Sequence, residues 1–177
     1  SLGSGEYIDC TIQNKSGENQ GGIYTNCEIK NISGNLHGTF DISNSNISDF
    51  NCFAGSYDPT YTIKDSTLSN FKIEFGYWHQ GAKTTIRNCS INNKDYLLKL
   101  PHYSMKQPIE LINNNIYSQS DDGIIIYYDD RTGGSTGELV RQDKLILEDN
   151  EIDLPKSSYL ITGINKDTAN NINIESK

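Results

Sequence analysis

Two pairs of adjacent carboxylates are placed to do chemistry: Asp121-Asp122, just ahead of Gly123-Ile124-Ile125-Ile126, and Asp129-Asp130, just behind it and followed by Arg131. Hydrolysis of a glycosidic bond needs one carboxyl as acid and a second as base or nucleophile, held about 5 to 9 Å apart. Adjacent residues on one coil of a regular scaffold, or equivalent residues on neighbouring coils, can supply that spacing without any cofactor. Elimination from a uronate would instead use Ca²⁺ on several carboxylates to acidify the sugar, with Arg131 as the base. The plainer reading is that Asp-Asp-Gly is ordinary turn chemistry before a strand.

A second set of residues suits recognition rather than reaction. Tyr57, Tyr77, Trp78, His79, His102 and Tyr103 fall in polar, Gly- and Pro-containing stretches that also hold Asp129, Asp130 and Arg131. Flat rings stack on the C–H faces of sugars while charged acceptors bond to hydroxyls. The competing role for these rings is to fold back over the flank of the molecule. The run Thr132-Gly133-Gly134-Ser135-Thr136-Gly137 lacks the Gly-Lys-Ser/Thr of a phosphate loop. His37, His79 and His102 do not fall at metal-ligand spacing, and no Ser/His/Asp or Cys/His arrangement is evident, so neither zinc nor a Ser or Cys nucleophile is supported.

The elements that would carry these residues are written as a repeat. One eight-residue phrase, apolar-x-(Asn/Asp)-(Cys/Ser/Asn)-x-(Ile/Leu)-x-polar, begins at Tyr7, Tyr24, Ile42, Ile63, Ile86, Leu111 and Leu147, and only the last copy departs from it, ending in Leu154. Its third position reads Asp9, Asn26, Asn44, Asp65, Asn88, Asn113 and Asp149; its sixth is always Ile or Leu. Asn and Asp are depleted from ordinary strands, so the phrase is a corner between two short strands. Copies start 17, 18, 21, 23, 25 and 36 residues apart. These intervals fit the coils of a parallel β-helix, whose equivalent side chains stack about 4.8 Å apart and can hydrogen-bond in ladders. No sustained 3.6-residue apolar period supports a helical repeat.

The predicted fold is therefore all-β: a single-stranded, right-handed parallel β-helix of about seven coils, with residues 1–177 as one module. Ile32, Phe50 and Phe71 fall three residues past the invariant aliphatic and are expected to stack internally. Growth of the coils is expected in four connections, 54–60, 76–83, 101–108 and 129–143, which should crowd one side of the rod. Asn171-Ile172-Asn173-Ile174 reads as the opening of an eighth phrase. Open solenoid ends expose strand edges, so the module is expected to belong to a longer chain or an oligomer.

Composition narrows the partners. Asn occurs 20 times, and hydrophobic residues make up 34% with a mean hydropathy of -0.61, low for a globe but sufficient for a rod with a narrow core. Regularly spaced Ile, Leu, Phe and Tyr argue against disorder. A net charge of -8 with no basic cluster disfavours nucleic acid, and no apolar run is long enough for membrane insertion. Cys10, Cys27, Cys52 and Cys89 lack CxxC spacing and are too sparse for a disulfide scaffold; free buried thiols are expected.

With the repeat laid out, the chain resembles the pectate-lyase-like β-helix superfamily, and phrases such as Ile86-Arg87-Asn88-Cys89-Ser90-Ile91-Asn92-Asn93 resemble those of phage and prophage tail-spike or tail-appendage proteins. The resemblance implies a virion-tail protein, assembled in reducing host cytoplasm as a homotrimer or with other virion proteins, that binds and in some cases cleaves bacterial surface polysaccharide. A protein of the bacterial extracellular surface is the alternative. Ser120-Asp121-Asp122-Gly123-Ile124 resembles the Asp-Asp element of polygalacturonase-like members, whose Asn-Thr-Asp and Gly-His-Gly elements this sequence lacks.

Overall fold

A computed structural model describes residues 2–54, 59–76, 82–101, 107–127, 144–163 and 173–176. The third position of the phrase explains how the chain turns. Asp9, Asn26, Asn44, Asp65, Asn88, Asn113 and Asp149 all take positive φ, between 48° and 56°. Asn and Asp tolerate this left-handed region better than other non-glycine residues. One such residue bends the chain sharply from one strand into the next.

The strands so separated stack into three faces, and every pairing is parallel. The first face holds β1 (Glu6–Ile8), the end of β3 (Glu18–Thr25), the end of β4 (Glu28–Ser43), β6 (Thr60–Lys64), β8 (Lys83–Arg87), β11 (Ile109–Ile112), β14 (Lys144–Glu148) and β17 (Asn173–Ser176). The second holds β2 (Thr11–Lys15), the start of β4, the starts of β5 (Asn46–Ala54) and β7 (Thr67–Phe75), then β9 (Ser90–Asn93), β12 (Asn115–Ser118) and β15 (Glu151–Asp153). The third runs through the start of β3, the middle of β4 and the ends of β5 and β7 to β10 (Leu98–Leu100), β13 (Ile125–Tyr127) and β16 (Ile161–Thr162). The chain is a right-handed parallel β-helix, the sense that strand twist imposes on parallel crossovers.

Register follows the repeat residue by residue. Tyr7, Tyr24, Ile42, Ile63, Ile86, Leu111 and Leu147 are successive direct partners on the first face. Ile12, Ile29, Ile47, Leu68, Ile91, Ile116 and Ile152 are successive partners on the second. Most of these aliphatics are fully buried, each contributing about 2 kcal/mol of apolar transfer. The expected internal stack is present: Ile32, Phe50 and Phe71 are in register, with the two Phe rings 4.9 Å apart. An aromatic column runs beside the first face, where the Tyr7 and Tyr24 rings lie 5.0 Å apart and 4° from parallel and Tyr24 stacks in turn on Phe40.

The fourth position of the phrase points inward and repairs the backbone at the bend. Ser45 Oγ accepts from the Cys27 amide and donates to Ser43 O; Ser66 Oγ accepts from the Ser45 amide and donates to Lys64 O. Asn114 does both jobs with its amide, accepting from the Cys89 N–H and donating to Ile86 O. A small residue carrying a donor and an acceptor is needed there, because an unpaired buried backbone group would cost about 1–3 kcal/mol. The third-position side chains pair on the outer surface: Asn88 Nδ2 donates to Asp65 Oδ1 and Asn113 Nδ2 to Asn88 Oδ1, each at 2.9 Å.

A second bend lies at the eighth position. Asn14, Asn31, Asp49 and Asn70 also have positive φ, and Asn31 Nδ2 donates to Asn14 Oδ1 at 2.8 Å while Asn70 Nδ2 donates to Asp49 Oδ1 at 3.0 Å. From the fifth copy onward this column changes role. Asn93 is buried and binds both the amide and the carbonyl of Phe71. At the N-terminal end the coils approach too closely for a side chain at Gly34, where φ is 104° and a Cβ would lie 2.2 Å from the Gly17 carbonyl oxygen.

Candidate functional site

The third face ends, coil after coil, where the sequence places its long connections. β5 stops at Ala54 and β6 resumes at Thr60; β7 stops at Phe75 and β8 resumes at Lys83; β10 stops at Leu100 and β11 resumes at Ile109; β13 stops at Tyr127 and β14 resumes at Lys144. The departure points are in register, with Ala54 opposite Phe75, Leu98 opposite Ile73, and Leu100 opposite Tyr127. The return points are in register too, with Thr60 opposite Lys83, Ile109 opposite Thr84, and Ile109 opposite Leu145. All four connections therefore leave and re-enter along one edge of the rod, spaced by one coil.

Tyr57, Tyr77, Trp78, His79, His102, Tyr103, Asp129, Asp130 and Arg131 lie outside the described residues. Asp121 and Asp122 are described, and both are exposed in a turn that leads into β13. Ser157 Oγ donates to Asp121 Oδ1 at 3.3 Å, and Ser158 Oγ donates to the Ser120 carbonyl. Gly123 closes the turn at φ 96°, where a Cβ would sit 2.1 Å from the Tyr159 carbonyl oxygen. The pair thus belongs to a solvated turn held by the following coil. Among the described residues no three His, Cys, Asp or Glu side chains converge as metal ligands.

Two charged clusters lie on the third and first faces, the two faces that meet at this edge, and neither is legible as a cluster in the sequence. On the third face Lys72 Nζ pairs with Asp95 Oδ2 at 2.9 Å and lies 5.3 Å from the centre of the Tyr96 ring, while Lys99 Nζ pairs with Glu74 Oε1 at 2.8 Å. Burial, with Glu74 and Asp95 nearby, pushes the Tyr96 phenol up to about 12, so it stays neutral and able to donate. On the first face Thr85 Oγ1 donates to Glu110 Oε2 at 2.7 Å, with Lys83 Nζ 3.8 Å from Glu110 Oε1. Carboxylates, ammonium groups and a neutral phenol are the donors and acceptors that sugar hydroxyls use. The alternation Phe71-Lys72-Ile73-Glu74, continued by Leu98-Lys99-Leu100, was the available signal: every second residue faces outward.

A different polar surface lines the corner column, where Asn26, Asn44 and Asp65 alternate with Glu28, Asn46 and Thr67 around a shallow, open groove. Its side chains bond partly to each other, as the Asn26–Asp9 and Asn88–Asp65 pairs show. Comparison with protein-family models, with curated proteins and with solved structures found no match.

Proposed function

We propose that this β-helix is a module of a phage-type tail or surface protein, a stiff shaft that binds bacterial surface polysaccharide through the connections along its loop edge. The observation that carries the reading is the shared register of the strands on both sides of those connections. A rigid scaffold that delivers several loops to one edge is a common basis for recognition. The loops contribute Tyr57, Tyr77, Trp78, His79, His102 and Tyr103 for stacking and Asp129, Asp130 and Arg131 for hydroxyl contacts. Within this proposal the module works as a homotrimer alongside other virion proteins, assembled in host cytoplasm and displayed on the virion tail.

The test is a bacterial glycan array probed with the full chain and with Trp78→Ala. Binding of one or a few polysaccharides, weakened about tenfold or more in the variant (about 1.4 kcal/mol) with an unchanged far-UV circular dichroism spectrum, supports the loop edge. Equal binding by both proteins removes the edge as the site, and absence of glycan binding leaves a purely structural shaft. A reducing-end assay on any bound polysaccharide reports cleavage, which would move the reading to a depolymerase using Asp121, Asp122, Asp129, Asp130 and Arg131.

A further inference from the structure

The fourth position of the phrase holds Cys10 in the first coil and Cys27 in the second, and their sulfur atoms lie 2.7 Å apart. That is well inside the contact distance of two non-bonded sulfurs. The flanking strands are in register, Ile8 opposite Thr25 and Thr11 opposite Glu28, so the two cysteines occupy equivalent places one coil apart. Parallel neighbours at about 4.8 Å fall within the Cα separation of about 4.4–6.8 Å that a disulfide spans. All four cysteines of the chain are free thiols in this structure.

We propose that Cys10 and Cys27 are a redox modification site, closing to an intramolecular disulfide when the chain meets a low-molecular-weight disulfide such as oxidised glutathione. The column selects the pair: Ser45 and Ser66 separate Cys27 from Cys89, and Cys52 is registered on Gly34 and Ile73 instead. Access is one-sided. Cys10 is half-buried while Cys27 is only 3% exposed, so Cys10 meets the oxidant first. The Cys10 thiolate attacks glutathione disulfide and expels one glutathione thiolate, forming a mixed disulfide. The Cys27 thiolate then attacks the Cys10 sulfur and expels the second. The two protons given up by the protein thiols end on two glutathione molecules; two protein thiols are oxidised and one small disulfide is reduced. Cys27 loses the weak bonds its thiol makes to Thr25 O and Tyr7 O. Burial and the neighbouring Cys27 push the Cys10 thiol up to about 11, so closure accelerates as pH rises above neutrality.

The product is a covalent staple across the first two coils. Incubation of the full chain with oxidised glutathione, followed by thiol counting after denaturation and non-reducing peptide mapping, tests it. Two of the four thiols should disappear, and a cross-linked peptide pair lighter by two hydrogens should join Cys10 to Cys27. The Glu28 amide, which donates to the Cys10 carbonyl at 2.8 Å, should exchange its hydrogen on the order of tenfold more slowly in the oxidised form. Cys27→Ser should stop at a glutathione adduct on Cys10. Four thiols retained, a stable glutathione adduct on the wild-type chain, or a bond involving Cys52 or Cys89 would each overturn the proposal.

Discussion

Asn88 carries in one side chain what a corner of this rod demands. Its φ is 54°, its Nδ2 donates to Asp65 one coil below, and its Oδ1 accepts from Asn113 one coil above. Glycine would keep the backbone and lose only the two outer bonds, a cost of about 1 kcal/mol because both are solvent-exposed. Valine would lose the same bonds and add the left-handed strain of a β-branched residue, for a total of about 2–3 kcal/mol. The urea midpoint should therefore drop slightly for Asn88→Gly and further for Asn88→Val; equal midpoints in the two variants would mean that the side-chain column, not the backbone angle, governs the bend. The third column was legible in the sequence because backbone sterics admit few residue types there. The eighth column was legible only as polar, although Asn14, Asn31, Asp49 and Asn70 obey the same constraint. Its later members, Asn93 and Ser118, are buried, and that mixture hid the second bend. The fourth column shows in the sequence only as a choice of Cys, Ser or Asn; what it supplies at Ser45, Ser66 and Asn114, a donor and an acceptor for neighbouring peptides, becomes visible only when coils are superposed.

Among the elements, the strands could be read from the sequence because each alternates inward and outward residues, and the loops could not because they obey no period. The boundaries of the four connections nevertheless came out within a residue or two, since a loop is whatever lies between two registered strands. Strand pairing on both sides of β13 and β14 holds the long 128–143 connection at fixed ends. Replacing residues 129–142 by a Gly/Ser linker as short as the connection from Ala54 to Thr60 should change stability by less than about 1 kcal/mol, because loop-closure entropy varies slowly with length. The same variant should lose any glycan binding that depends on Asp129, Asp130 and Arg131. A melting temperature and an array measurement on one preparation check both halves. Collapse of the fold would show that the connection is part of the scaffold. The clusters around Tyr96 and Glu110 are not legible in the sequence because their members are distant in the chain and meet only through the pitch of the coil.

For the molecule as a whole, a narrow core enclosed by three sheet faces makes every buried ionisable group count. Burial pushes the thiols of Cys52 and Cys89 up to about 12 and about 11, from an ordinary value of 9.0. The folded-state values lie above those of the unfolded chain, so this part of the stability is fully present below about pH 9. It is lost as pH rises through about 11 to 12. Urea midpoints taken from neutral pH to about pH 11 should decline, and Cys52→Ala should flatten the decline relative to wild type; an equal slope in the variant would put the loss elsewhere. The hydrogen bonds that join the strands run between neighbouring coils, along the rod's axis. A load applied along that axis meets them in series and detaches coils one after another, like loops pulled from a knitted edge. Each detachment releases a length set by its own coil, from about 60 Å for the 17-residue interval to about 120 Å for the 36-residue one. The rod is thus mechanically graded along its length, and its later coils lengthen most for each set of bonds broken.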